Sequence, residues 1–282
     1  MGTGKGIKMV ALDLDGTALT SDRHFSPRTQ EAFRKAMEQG VHIVISTGRV
    51  WHSLPEEMFD IVGLEYVITS NGATVTELAT GEHIYENRLD PAAVDRVLSV
   101  IEDKFGNDGF SVDAFVDGKA YMEEREYRDM ELNGSDYRTQ DYVLSTRNPV
   151  NGLLDFMRAH RDKMENISLI FRHKADQDAM FKRLEKINNI TLVSSFSNNF
   201  EIGGPTTSKA DALVMLMRRL GIGRSELMAC GDSINDLAMI RLAEVGVAMG
   251  NAVLGIKTAA NYITDTNDED GVAKAIEKFV LN

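Results

Sequence analysis

The densest chemistry in this chain lies where Val10-Ala11-Leu12-Asp13-Leu14-Asp15-Gly16-Thr17 ends an apolar run in two carboxylates spaced i, i+2. On an extended backbone that spacing sends both side chains to the same side. Two like charges held together persist most easily with a divalent cation or a shared proton between them. A second stretch, Val44-Ile45-Ser46-Thr47-Gly48-Arg49, ends a strand in hydroxyls and a glycine whose backbone N–H can approach an oxyanion closely. In a third, Thr206-Thr207-Ser208-Lys209, Thr207 or Ser208 is a natural helix cap. The cap puts Lys209 in the first turn, where the helix dipole disfavours a cation. A bound phosphoryl group or a nearby aspartate would remove that conflict; a solvated, screened lysine is the alternative. The fourth, Gly231-Asp232-Ser233-Ile234-Asn235-Asp236, offers three hard oxygen ligands, Asp232, Asn235 and Asp236, of the kind magnesium prefers. Each stretch alone also fits ordinary turn chemistry. Four of them in this order, three at strand ends and one at a helix start, do not.

The elements that must position these residues alternate. Strands are predicted at 8–12, 41–46 and 66–69, with a helix at 27–39 between Ser26-Pro27 and Gly40 and another helix after Arg49. This βαβαβ rhythm implies a parallel sheet, whose ligands bind at the carboxyl ends of the strands. It resumes after about residue 199, with helices at 208–220, 235–243 and 271–280 and strands at 226–230, 245–248 and 262–264. Between the halves the pattern changes. Val94, Val97, Leu98, Ile101 and Phe105 share one helical face, and runs at 110–116 and 119–122 flank the hairpin turn Asp117-Gly118. A strand at 167–171, a helix at 176–187 and strands at 191–195 and 200–202 follow. Residues 1–85 and 199–282 are therefore expected to form one α/β core, and 86–198 an inserted α+β domain. No internal repeat or low-complexity segment interrupts this plan.

Composition bounds the partners. The chain has 282 residues, 43% hydrophobic, with a net charge of −12 that argues against nucleic acid or an anionic membrane as partner. An anionic substrate must then be attracted locally, by a metal or a few cations. The single cysteine, Cys230, excludes an internal disulfide framework, suits a reducing cytoplasm and reads as a core residue at the end of a strand. No stretch approaches the roughly 20 apolar residues that span a bilayer, and the first residues lack the apolar centre of a signal peptide. A soluble cytoplasmic protein, monomeric or weakly dimeric, is expected. Gly2-Thr3-Gly4-Lys5 lacks the first glycine of a phosphate loop, and Gly6 stands where Ser or Thr would hold magnesium, so it reads as a flexible leader.

Taken together, Asp13-Leu14-Asp15-Gly16-Thr17, Ser46-Thr47-Gly48-Arg49, Ser70-Asn71-Gly72-Ala73, Ser208-Lys209 and the 231–236 loop resemble the haloacid dehalogenase superfamily of phosphohydrolases. The match is closest to its Cof-type branch, whose large α+β cap is inserted between the second and third motifs. Met249-Gly250-Asn251-Ala252 and Asp270-Gly271-Val272 also resemble that branch. One departure is Ala210, where the family often has glycine after the lysine. The resemblance implies a Rossmann-like parallel-sheet core with an inserted α+β cap domain, and a Mg2+-dependent phosphatase of small phosphate monoesters such as sugar phosphates. It further implies Asp13 as nucleophile forming an aspartyl-phosphate, and Asp15 as the acid that protonates the leaving alkoxide and the base that activates water. Mg2+ would be held by Asp13, the backbone carbonyl of Asp15, and Asp232, with Asp236 and Asn235 supporting. Thr47, Gly48 and Lys209 would hold the phosphoryl oxygens, with Arg49, Asn71, Gly72 and Asn235 also at the phosphate or substrate.

Physical chemistry agrees with these roles. Phosphoryl transfer needs positioning and charge neutralisation, and a sugar alkoxide leaves poorly without a proton. A phosphomutase or phosphotransferase passing the same aspartyl-phosphate to a sugar hydroxyl is the nearest alternative. A receiver-like signalling module uses similar residues but is usually half this length and carries no cap; dehalogenation gives Asp15 and the magnesium loop no role. No residue of the insertion announces the substrate. Arg172-His173-Lys174 fits either an anion-binding turn or a solvated basic one, Trp51 either the closed cap or plain packing, and His42 and His83 show no metal-ligand spacing.

Overall fold

β1 (Met9–Leu12) is buried along its whole length, as a strand flanked on both sides in a covered parallel sheet must be. In the computed structural model, which describes residues 6–104 and 109–282, β1 lies at the centre of an eight-stranded sheet. The stretch Gly2-Thr3-Gly4-Lys5 and the expected helical-face residue Phe105 lie outside the described residues. Beyond β1 the chain forms α1 (Pro27–Glu38), β2 (His42–Ser46) and β3 (Tyr66–Thr69). Ser26 caps α1 by accepting from the Thr29 N–H, with Pro27 in the first turn. The helix expected after Arg49 is replaced by two short 3-10 turns, Trp51–Ser53 and Glu56–Asp60, separated by Pro55. Proline cannot donate the hydrogen bond that would join them.

β4 (Thr74–Glu77) and β5 (Glu82–Glu86) follow as an antiparallel hairpin on the edge of the sheet, so the sheet is mixed rather than wholly parallel. Next come α2 (Pro91–Ile101), β6 (Phe110–Val116), β7 (Lys119–Glu123), α3 (Glu124–Asn133), α4 (Gln140–Thr146), β8 (Arg147–Val150) and α5 (Leu153–Ala159). β9 (Met164–Phe171), α6 (Lys174–Leu184), β10 (Thr191–Val193) and β11 (Asn199–Gly203) complete this stretch. The chain then closes its first sheet with α7 (Lys209–Leu220), β12 (Leu227–Gly231), α8 (Leu237–Leu242), β13 (Val245–Ala248), α9 (Leu254–Ala259), β14 (Tyr262–Ile263) and α10 (Gly271–Phe279).

The strand order of this sheet is β14-β13-β12-β1-β2-β3-β4-β5, parallel from β14 to β3. β1 pairs with β2 on one side and β12 on the other, which places the ends of three chemically marked strands side by side. Cys230 is buried within β12, where burial pushes its thiol up, with Asp236 adding to the shift.

Contacts divide the chain into two compact units. One contains the three stretches that run up to Gly48, over Pro55–Glu86 and over Ser208–Asn282; the other contains Arg49–Leu54 and Asn87–Thr207. The second unit is built on a six-stranded sheet of order β10-β11-β9-β6-β7-β8. One face packs Val112, Ala114, Ile167, Leu169 and Phe171 with the helical stripe Val94, Val97, Leu98 and Ile101. The alternate residues of β6 include Ser111 and Asp113, both buried. The Asp117-Gly118 turn has both residues at positive φ, as a tight hairpin demands. Among the described residues no helix is long and apolar enough to cross a membrane.

Candidate active site

The site begins where β1 stops. At Leu12 the chain leaves the strand and enters a turn at Leu14–Ala18, in which Asp15 is extended and Gly16 has φ +75°. A side chain at Gly16 would be doubly refused, because a Cβ there would lie 2.9 Å from Asp232 Oδ2. The two carboxylates of the Asp13/Asp15 pair thus occupy different surroundings: Asp13 is 5% exposed and Asp15 lies open to solvent.

Lys209 opens α7, with Ser208 capping the helix by accepting from the Asp211 N–H at 3.0 Å. Its conflict with the helix dipole is offset by aspartates. The ammonium donates to Asp13 Oδ1 at 2.5 Å and to Asp236 Oδ1 at 2.7 Å, with all three groups buried. Burial would depress the Lys209 ammonium, but Asp13 and Asp236 outweigh it and hold the lysine protonated. Asp236 is heavily engaged. Its second oxygen accepts the Asp232 and Ser233 backbone N–H groups at 2.9 and 3.0 Å, closing the loop that follows β12.

Asp232 is positioned by hydroxyls, accepting from Thr17 Oγ1 and from Ser233 Oγ, each at 2.9 Å. Sequence spacing does not single out Thr17 and Ser233; the signal available is only that each adjoins an expected ligand. Asp13, Asp232 and Asp236 bring one oxygen each within 4.8 Å of one another. Burial, then the neighbouring Asp236 and Asp232 carboxylates, push the Asp13 carboxyl well above the ordinary carboxylate range, with Lys209 pulling the other way. Burial and Asp236 likewise push Asp232 up.

A cation fits this donor set. Of three clustered carboxylates the one ammonium hydrogen-bonds two, Asp13 and Asp236, and Asn235 Oδ1 is buried without a hydrogen-bond partner among the described residues. An unanswered acceptor beside surplus carboxylates is the chemistry of a hard divalent ion and its waters. Asp13 and Asp232 would hold it, with the Asp15 carbonyl as a further oxygen ligand, while Asp236 is committed to Lys209 and the loop.

Thr47 and Gly48 follow β2. The Thr47 N–H donates to Ile68 O and its carbonyl accepts the Asn71 N–H at 3.0 Å, linking the second motif to the loop after β3. Asn71 stands at φ +57°, and its Oδ1 accepts from Asn235 Nδ2 at 3.0 Å, so the second and fourth motifs meet through it. Gly72, at φ +98°, lies where a Cβ would sit 2.2 Å from the Ser208 carbonyl, so only glycine lets this loop rest on the cap of α7. Asp13, Thr47, Gly48, Asn71, Gly72, Lys209, Asp232, Asn235 and Asp236 are all in the first unit, as is Asp15 on its turn.

Arg49 belongs to the second unit. There its guanidinium donates to Ser53 O at 2.9 Å and lies 5.3 Å from the Tyr142 ring centre. Val50 packs with Phe115 and Ala120, and the His52 N–H donates to Gly118 O. Arg172 stacks over Tyr137, and Lys174 pairs with Asp178 along α6, so this basic turn is engaged locally.

Comparison with known proteins supplies the context. A family model described as haloacid dehalogenase-like hydrolase matches residues 10–276. The phosphatase YwpJ of Bacillus subtilis is 32% identical over 97% of this chain and all of its own length. The 5-amino-6-(5-phospho-D-ribitylamino)uracil phosphatase YcsE of the same organism is 30% identical, covering 98% of this chain and 96% of the relative. A solved haloacid dehalogenase-like hydrolase from B. subtilis superposes with a TM-score of 0.82 at 32% identity, over 96% of this chain and 99% of the other.

Proposed function

The chain belongs to the haloacid dehalogenase-like hydrolases, as a phosphatase of the Cof type, and from that premise we propose that it is a Mg2+-dependent hydrolase of small alkyl phosphate monoesters. Sugar and polyol phosphates are the favoured class, supported by the ribityl phosphate named for the YcsE relative. The observation that carries the reading is the cluster of Asp13, half-buried Asp232 and Asp236, two of whose carboxylates, Asp13 and Asp236, share the single Lys209 ammonium. An anionic carboxylate approaches an anionic phosphate only where positive charge lies between them, which is what a bound Mg2+ supplies together with Lys209.

In this reading Asp13, one oxygen of which is anchored by Lys209, attacks phosphorus and forms an aspartyl-phosphate as the ester P–O bond breaks. Asp15 gives its proton to the leaving alkoxide, then takes one from the water that attacks phosphorus. Inorganic phosphate leaves and Asp13 is regenerated. Thr47, the Gly48 N–H and Lys209 hold the phosphoryl oxygens, and Asn71, Gly72 and Asn235 keep the motif loops in register. The second unit, which contains Arg49 and runs past the expected boundary at 198 to Thr207, serves as a cap that selects the leaving group. A cytoplasmic setting completes the reading, with the buried lone Cys230 suited to a reducing compartment, and the protein acts as a monomer or weak homodimer.

The test is a panel of phosphate monoesters assayed for inorganic phosphate with Mg2+ and with excess chelator. Release that requires Mg2+ and favours alkyl phosphates is expected. Full activity in chelator would overturn the metal role, and isomerisation of a sugar phosphate without phosphate release would replace hydrolysis by mutase chemistry.

A further inference from the structure

The turn that carries Asp15 is gripped from outside by two side-chain amides that the chemistry above does not use. Asn251 Nδ2 donates to Gly16 O at 2.8 Å. The Oδ1 of the same carboxamide accepts the Asn267 N–H at 3.1 Å, and Asn267 Nδ2 donates to Leu19 O at 2.9 Å. Three hydrogen bonds therefore run in series from the middle of the Leu14–Ala18 turn to the residue just beyond it. From within, Thr17 Oγ1 donates to Asp232 Oδ1 at 2.9 Å. The Gly16–Thr17 peptide is thus held at its carbonyl by Asn251 and at the next side chain by the metal loop.

That peptide closes the turn on which Asp15 sits. Asp15 and Gly16 have φ/ψ of −76°/124° and 75°/1°, the two central residues of a type II turn. With the Gly16 carbonyl released, the central Asp15–Gly16 peptide would be free to rotate, relaxing this turn and swinging the exposed Asp15 carboxyl. We propose that Asn251 is a positioning residue, clamping the Asp15–Gly16–Thr17 turn in the conformation that delivers the leaving-group proton, with Asn267 seating the clamp. The inference rests on the reading of Asp15 as the acid. A carboxamide donates to a carbonyl through its nitrogen while accepting from an N–H through its oxygen, the two roles lying on separate atoms that span both partners. An aspartate there would keep the shape, lose the donor and set an anionic oxygen against Gly16 O. The Asn251 bond is exposed and contributes modestly to folding. Proton transfer, in contrast, needs the acid within hydrogen-bond reach of the departing oxygen.

The experiment uses the full chain saturated with Mg2+, following phosphorylation of Asp13 by rapid quench in a single turnover. The two substrates are the alkyl phosphate the wild type turns over best and p-nitrophenyl phosphate, whose leaving group needs no proton. Asn251→Ala is expected to slow the alkyl ester about tenfold or more and the aryl ester about twofold or less, with its thermal midpoint near the wild-type value. Asn251→Asp should do no better than alanine, and Asn251→Gln should recover part of the rate. In the Asp15→Asn background, Asn251→Ala should add little, because the acid it positions is gone. Equal slowing of both esters, or full additivity with Asp15→Asn, would reveal a merely structural role and overturn the inference. If Asp15→Asn discriminates between the esters and Asn251→Ala does not, the clamp is refuted and the acid stands. If Asp15→Asn itself shows no discrimination, the acid assignment falls and the clamp with it.

Discussion

Each unit buries an ionic cluster, and the two are opposites in charge. In the first unit Lys209 is one ammonium among Asp13, Asp232 and Asp236. In the second, Asp113 is one carboxylate between two guanidiniums: Oδ2 accepts from Arg138 Nη2 at 2.7 Å and from Arg147 Nε at 2.9 Å. Burial would push the Asp113 carboxyl up, but Arg138 and Arg147 overcome it and hold the group below the ordinary carboxylate range. At Asp13 the same burial is joined by two further carboxylates, and the group is pushed up. The cluster whose anion is outnumbered by cations keeps that anion ionised on two guanidiniums and reads as structural, although Asp113 Oδ1 accepts no hydrogen bond among the described residues. The cluster with surplus anions is incomplete, and a site that is electrostatically unfinished is one that awaits a ligand.

The largest expected effect breaks this comparison through activity. Asp13→Asn removes the nucleophile, and turnover should fall by about four orders of magnitude or more, since an amide does not form the phosphoryl-enzyme. In chelator its thermal midpoint should match or exceed the wild type, because one of the crowded carboxylates is gone. A large loss of stability instead would mean that Asp13 is needed to hold Lys209 in place, and the anion surplus would not be strain. Asp113→Asn should do the reverse. Leaving Arg138 and Arg147 buried without their counter-charge is expected to cost about 3–5 kcal/mol of the second unit's stability. Urea titration followed by a probe in that unit reads this directly; a cost under about 1 kcal/mol would show that the triad is dispensable.

How much of this was legible in the sequence divides along the same line. The strands of the first unit appear at or within a residue or two of their expected places, because short apolar runs between turn residues have no competing helical period. The β4–β5 hairpin escaped, since an edge pair with exposed, charged residues such as Glu82 and Glu86 lacks the apolar run of the inner strands. Asn235 to Ala243 begins as a 3-10 turn and becomes helical only at Leu237, because Asp232 and Ser233 draw Asp236 into closing the loop. Ser208 as cap and Lys209 in the first turn were legible, and so was the need for an offsetting anion. Which anion answers it was not, since Asp13 lies 196 residues away. In the second unit, polar α3 and seven-residue α4 and α5 carry too little periodicity to be read. The membership of Arg49–Leu54 in that unit is likewise a tertiary choice, made by Val50 against Phe115 and Ala120. Asp113, Arg138 and Arg147 look like surface residues in the sequence, because only the fold shows a carboxylate trapped between two arginines.

The smallest effect sharpens the comparison by titration. Glu126 lies on α3 beside the Asp113 cluster, partly buried, with Oε2 lacking a partner among the described residues. Burial, then Asp113 and Glu123, push its carboxyl up to about 7 against the pull of Arg138 and Arg125. In the unfolded chain the group returns to its ordinary value near 4.5. Between these values the unfolded chain gives up the proton while the folded chain keeps it. The stability associated with the protonated form is therefore full below about pH 4.5 and lost as pH rises through about 7. Glu126→Gln does not titrate, so relative to wild type it should be near neutral at pH 4 and stabilising at pH 8, by on the order of 1–2 kcal/mol once partial exposure is allowed for. Combined with Asp113→Asn the gain should shrink, because the neighbouring anion is gone and Arg138 is left to pair with Glu126. Parallel stability curves for wild type and Glu126→Gln from pH 4 to pH 8 would show that Glu126 does not sense the cluster.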